Sequence, residues 1–194
     1  MEKLFVMLLA FSFSFVFTNL GSAKAFSQIS DSQKRTEEIL AIFTKTKHKV
    51  KDRSGIRVEK YKEMRSEPVL KSDIRGYSGE YEVSGLGYTI NIQIGADGVI
   101  RADGYEPPEE GLRGGRKFTL KDARIDSALL TATKVYADGG SERFEGGFIN
   151  LTDVEGTSPT QIEHRSSSLG LGVTGVRIIR DGLTLEKLFY QLKQ

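Results

Sequence analysis

The sequence predicts a mainly β protein, an antiparallel up-and-down meander of about eight strands closing into a small barrel, preceded by one N-terminal helix. Three observations carry this reading. Tyr88, Ile90, Ile92 and Ile94 alternate with Thr89, Asn91 and Gln93, the period of a strand with one buried face. Asp97-Gly98 follows, a pair that accepts the positive φ angles of a tight hairpin turn, and a second extended run begins at Val99. The same grammar then recurs through the rest of the chain after residue 75, with glycine and aspartate at the turns. A sheet of this size removes its edges by closing on itself or by dividing into two packed layers, so a two-sheet sandwich is the alternative.

The chain has 194 residues. Glu2-Lys3, an apolar run over residues 4–20 and Gly21-Ser22-Ala23-Lys24-Ala25 have the form of a cleavable export signal, with the cut after Ala23 or Ala25. Residues 1–25 are read as signal peptide, 26–73 as a basic helical segment and linker, and 74–194 as the barrel domain. The expected location is the periplasm or the exterior, with no membrane span left after cleavage. Cysteine is absent, so no disulfide stabilises the exported chain and no N-terminal cysteine can carry a lipid. Asn150-Leu151-Thr152 matches a glycan acceptor, which matters only in a eukaryotic secretory route and is read as coincidence.

Residues 30–51 are expected to be helical. Ser30 and Gln33 suit a capping box, Glu37 and Glu38 suit the first turns, and Ile39, Ile42, Phe43, Thr46 and Val50 form a narrow apolar stripe. Lys45, Lys47, Lys49 and Lys51 load the far end with positive charge. Residues 26–75 hold 13 Lys and Arg against 8 Asp and Glu, while residues 76–194 hold 13 against 17. A basic segment lying on its own acidic domain explains this asymmetry. With no aromatic residues between the lysines, nucleic acid is not an expected partner.

Residues 56–65 suit a strand or a short helix, and residues 66–73 read as a linker. Strands are expected over 74–83, 86–95, 99–105, 117–126, 128–137, 142–152 and 169–179. Residues 106–115, with Pro107 and Pro108, form a long loop; residues 153–168 are polar and loop-like. Asp138-Gly139-Gly140 and Asp181-Gly182 make turns. Residues 183–193 fit either a helix stripe or an alternating strand, and the hairpin turn before them favours the strand.

Tyr77-Ser78-Gly79-Glu80-Tyr81, within Gly76–Glu82, resembles the Y-x-G-x-Y opening strand of the lipocalin-like domains fused behind serine hydrolases of the β-lactamase family. The resemblance covers that strand and the rhythm of the meander. It implies a lipocalin-like barrel with an auxiliary role, exported alone, and it transfers no catalytic residue.

Chemistry is sparse. There is no G-x-S-x-G, no S-x-x-K and no cysteine for nucleophilic catalysis, and His48 and His164 stand alone. Two isolated histidines do not build a zinc site, the carboxylates lack the alternation of a calcium loop, and no metal or other cofactor is expected. Gly170-Leu171-Gly172-Val173-Thr174-Gly175 matches G-x-G-x-x-G literally, but a strand-like Val176-Arg177-Ile178-Ile179 follows where a dinucleotide site needs a helix. Glycines that bend or bulge a strand explain the match better.

The expected function is non-enzymatic binding. A small, partly apolar ligand would sit at the barrel mouth, or a protein partner on the barrel or the basic helix; no oligomeric state is implied. Tyr77, Tyr81, Tyr88 and Tyr136 are candidate pocket lining, as apolar bodies carrying a hydroxyl. Arg101 and Arg124, each two residues from a carboxylate on one strand face, are candidate anchors, though an outward, solvated position explains such pairs more simply. The competing readings are a hydrolase with Asp103 and Asp126 as acid and base, and an interaction module with a packed barrel.

Overall fold

A computed structural model of the chain describes residues 30–47, 61–108, 114–179 and 182–193. The expected signal peptide, His48, Lys49, Lys51 and residues 109–113 lie outside them. The chain divides at Asp31, and every strand lies in the second unit, Ser32–Gln194.

Helix α1 spans Asp31–Phe43 and stops well before the expected end at Lys51. Thr44-Lys45-Thr46-Lys47 has a period of two, and its β-branched threonines suit extended backbone. Lys45–Lys47 accordingly forms β1, antiparallel to β2, Tyr61–Pro68. The residues read as a linker thus begin inside a strand. A further correction concerns residues 74–83, where Ile74–Tyr77 is a 3-10 turn, because the Asp73 carboxylate accepts the Arg75 N–H and caps it. Only Gly79–Glu82 is strand, β3.

The meander continues as β4 (Thr89–Ile94), β5 (Ile100–Glu106), β6 (Arg116–Asp126) and β7 (Leu129–Tyr136). Then come β8 (Ser141–Ser158), β9 (Gln161–Ile179) and β10 (Gly182–Leu192). From β3 to β10 each strand pairs antiparallel with the next, and β10 returns to β3 through Gln191↔Glu82 and Leu192↔Tyr81. The eight strands therefore close a barrel and not a sandwich. β2 lies outside the ring along β8, with β1 on its far edge.

The stretch over residues 153–168 is not a loop. It is the far half of β8 and the near half of β9, paired from Gly146↔Val173 to Ser158↔Gln161. β2 pairs along the other side of β8 from Tyr61↔Gly156 to Pro68↔Ile149. A ladder on both sides holds this stretch of β8, so it needs little of the apolar alternation that marks a half-buried strand.

Turn chemistry fixes the register elsewhere. Gly98 takes φ +77 and its N–H reaches the Gly95 carbonyl at 3.0 Å, so the glycine of Asp97-Gly98 bears the positive angle alone. β6 and β7 join through Ser127-Ala128, with Ser127 at φ +58, a position glycine usually fills. Residues 183–192 are strand, as the turn before them predicts.

Inward residues fill the barrel. Tyr77, Tyr81, Ile90, Ile92, Phe118, Leu130, Phe144, Phe148, Leu171 and Tyr190 are all buried. Tyr77 closes one end, its ring stacked on Phe148 at 4.2 Å and its hydroxyl within reach of the Val69 and Ser127 carbonyls at 2.8 and 2.9 Å. A second, smaller core lies outside the ring, where Ile39 and Phe43 of α1 meet Leu129 and Ile149. The Gly147 and Gly172 backbones let the helix come close; a Cβ at Gly172 would stand 2.8 Å from both the Phe43 ring and Ile149. Gly170 and Gly172 of the G-x-G-x-x-G match therefore serve close approach by a strand and a helix, on a stretch of ladder without a bulge.

Candidate functional site

The period-2 alternation that sends Tyr81, Ile90 and Ala102 inward sends Glu80, Thr89, Asn91, Asp103 and Tyr105 outward. Register then aligns these outward residues into two rows. One row runs Glu80↔Asn91↔Asp103↔Thr119 and the other Glu82↔Thr89↔Tyr105↔Lys117. Facing residues stand ~5 Å apart, and the rows are ~7 Å apart along the strands. Between them lies a groove of about 380 Å³, lined by Thr89, Asn91, Asp103, Tyr105 and Lys117, with Glu80 and Lys193 at its edge.

The two kinds of lining differ in their commitments. Lys193 is held by Glu82 at 3.0 Å and Glu80 at 3.6 Å, and its N–H donates to the Glu80 carbonyl at 2.8 Å. Pairing with the two glutamates, chiefly the hydrogen bond to Glu82, raises the Lys193 pKa. Thr89, Asn91, Asp103, Tyr105 and Lys117, by contrast, have no side-chain hydrogen bond or ion pair among the described residues. Five unengaged polar groups therefore converge on one concave surface. Gly115 leaves room for Tyr105, whose Cζ and hydroxyl occupy the position a Cβ would take.

A second polar cluster lies inside the barrel at the end opposite Tyr77. Lys134, 7% exposed, points inward from β7 and forms ion pairs with Glu106 and, at 3.0 Å, Glu142. The Tyr136 hydroxyl donates to Glu142 at 2.6 Å, and the Arg116 guanidinium lies 3.4 Å over the Tyr136 ring. Burial first, then the bond to Glu142, pushes the Tyr136 hydroxyl well above the ordinary tyrosine range. Here every group has a partner, and no buried side-chain nitrogen or oxygen among the described residues lacks one. The cluster is a seal.

Comparison with protein-family models, with curated proteins and with solved structures gives no match.

The six residues read from the sequence as candidate binders do not converge. Tyr77 and Tyr81 are buried at 2% exposure, with the Tyr81 hydroxyl donating to the Tyr77 carbonyl at 2.6 Å, and burial raises its pKa. Tyr136 belongs to the seal, and Tyr88 is half-buried against the core. Arg101 and Arg124 are exposed on the outside, as are Asp103 and Asp126. Asp103 and Asp126 also stand apart. Asp103 faces Thr119, whereas Asp126 lies at the end of β6, roughly 20 Å on at ~3.3 Å per residue, and accepts the Ser32 hydroxyl at 2.6 Å.

Sequence reasoning passed over Thr89, Asn91, Tyr105, Lys117 and Lys134. The alternation that places Leu130, Ala132 and Tyr136 on one face also places Lys134 there, which was the available signal for the seal. Nothing local could have signalled the groove, because it depends on the registers of four strands.

No helix among the described residues is long and apolar enough to cross a membrane.

Proposed function

We propose that this chain is an exported, non-catalytic binding module that takes its ligand on the outer face of a filled barrel. One observation carries the reading: among the described residues the polar groups inside the barrel are all engaged, whereas Thr89, Asn91, Asp103, Tyr105 and Lys117 on the outer face have no side-chain partner. A filled interior argues against a carrier of the lipocalin-like kind, since the aromatic side chains occupy the space that a small eight-stranded barrel offers a ligand. The auxiliary role implied by the Tyr77-Ser78-Gly79-Glu80-Tyr81 strand is compatible with outer-face binding. The separation of Asp103 from Asp126 argues against hydrolysis by that pair, which needs the carboxyls within about 5–10 Å of each other. Export is supported by the composition of residues 1–25.

The test is a nuclear magnetic resonance titration of the purified protein against a mixed library of polar and apolar small molecules. Binders are expected to shift the amides of Asn91, Asp103, Tyr105 and Lys117. Shifts concentrated at Leu130, Phe148 and Tyr190 would return the site to the interior and overturn the proposal.

A further inference from the structure

Resting on that outer-face reading, we infer that the groove takes a neutral polyhydroxylated ligand, a saccharide unit. The first argument is charge. Lys193 lies against both Glu82 and Glu80, and Asp103 and Lys117 add one charge of each sign. Among the described residues the groove and its edge therefore carry charges of both signs, with one carboxylate more than ammoniums. An anion would meet Asp103 and a cation would meet Lys117, each a like charge at close quarters. A neutral ligand meets neither penalty.

The second argument is the donor and acceptor inventory. Ionised Asp103 only accepts and Lys117 only donates, while Asn91 and Thr89 do both. An apolar ligand would strip water from Asp103 and Lys117 without replacing its hydrogen bonds. Hydroxyl groups donate and accept at once, so a ring carrying several of them satisfies a mixed set whichever group it faces. Asn91 and Asp103 stand directly opposite each other, and Thr89 and Tyr105 form the next pair along the same two strands. That grid is about the breadth of one sugar ring.

The third argument is Tyr105. Its outer end lies against the bare Cα of Gly115, beyond Lys117 in the register, so the side chain is held along the sheet at the rim of the groove. An aromatic body next to paired amide and carboxylate groups suits the mixed surface of a sugar, whose C–H patches pack on the ring while its hydroxyls reach the polar side. The groove opens to the outside, so either a free sugar or a unit within a chain can enter.

The test is saturation-transfer magnetic resonance on the full chain with glucose, galactose, N-acetylglucosamine and β-linked oligomers of each, alongside citrate and spermidine. Transfer to the sugars is expected at a Kd of about 1 mM, as befits a shallow site with few contacts. Oligomers binding better than single units would identify a glycan chain as the source, and equal binding a free sugar. Asp103→Asn and Tyr105→Ala are expected to weaken binding about tenfold each, while Arg124→Ala, distant on the surface, leaves it unchanged. Absence of transfer to every sugar overturns the inference. Spermidine binding that is lost in Asp103→Asn, or citrate binding that is lost in Lys117→Gln, overturns the neutral class but leaves the outer-face site standing. Sugar binding indifferent to Asp103→Asn and Tyr105→Ala overturns both.

Discussion

Lys134 shows how one side chain can close a barrel end. Its ammonium is buried beside aromatic rings, 4.7 Å from the centre of Phe118 and 5.0 Å from that of Tyr136. Such a charge is tolerable only because Glu106 and Glu142 accept its hydrogen bonds; losing both would cost several kcal/mol. Glu142 reports on the arrangement. Burial pushes its carboxyl up, but hydrogen bonds from Tyr136 and Lys134 and the nearby positive charges outweigh that and bring it below the ordinary 4.5. A carboxylate held lower in the folded than in the unfolded state stabilises the fold above its unfolded value. That contribution disappears as the pH falls through the folded value. Because half of the Glu142 side chain meets solvent, about 1 kcal/mol or less is at stake. Glu142→Gln should therefore be the less stable protein at neutral pH, with a urea midpoint that falls less steeply than the parent's below pH 4.5. Parallel acid limbs for the two proteins would show that Glu142 is not the titrating group. Parity alone placed Lys134 inward, but its two carboxylate partners come from β5 and β8, and no local pattern announces them.

Among the elements, α1 was legible in its apolar stripe but not in its end. Ile39 and Phe43 reach the barrel as their four-residue spacing predicts, while the helix stops where partners outside it take its last carbonyls. Ser66 donates to the Leu40 carbonyl at 2.8 Å, and Lys187 to the Ile42 carbonyl at 3.0 Å. Burial first, then the neighbouring Lys45, lowers the Lys187 pKa at this cap. The seat of the helix depends on the missing side chains of Gly147 and Gly172. Gly172→Ala would drive a methyl against Phe43 and Ile149, and should cost about 1–3 kcal/mol of unfolding free energy. A further signature is expected in the near-ultraviolet signal or the proteolytic release of the N-terminal segment, since the strain falls on the helix contact. An alanine variant as stable as the parent would mean that α1 is not held at this distance. The arm formed by β8 and β9 was illegible for a related reason. Its stability comes from the β8–β9 hairpin ladder together with β2, a partner distant in sequence, and not from a continuous apolar alternation.

Across the whole molecule, closure rests on a short seam. β3 has four residues, and only two of its positions register with β10, supported by the Lys193–Glu80 backbone bond and the ion pairs of Lys193. β10 in turn covers β9 from Gly182↔Ile179 to Gln191↔Gly170. A chain ending at residue 180 would expose the edges of both β3 and β9. We expect it to lose cooperative urea unfolding, to bind a hydrophobic dye and to associate, which circular dichroism and light scattering would reveal. Sharp, monomeric unfolding of that truncated chain would show that closure by β10 is dispensable.

Strand periodicity, turn residues and the count of extended segments by themselves determined that this is a mainly β up-and-down meander with a helix ahead of it, because those signals are local and each residue carries its own. Closure into a barrel and not a sandwich came from the pairing of β10 with β3. Which side chains share a surface was decided only by tertiary structure. Asn91 meets Asp103, and Thr89 meets Tyr105, through register across a closed ring, and register is a relation between strands that no single stretch of sequence contains.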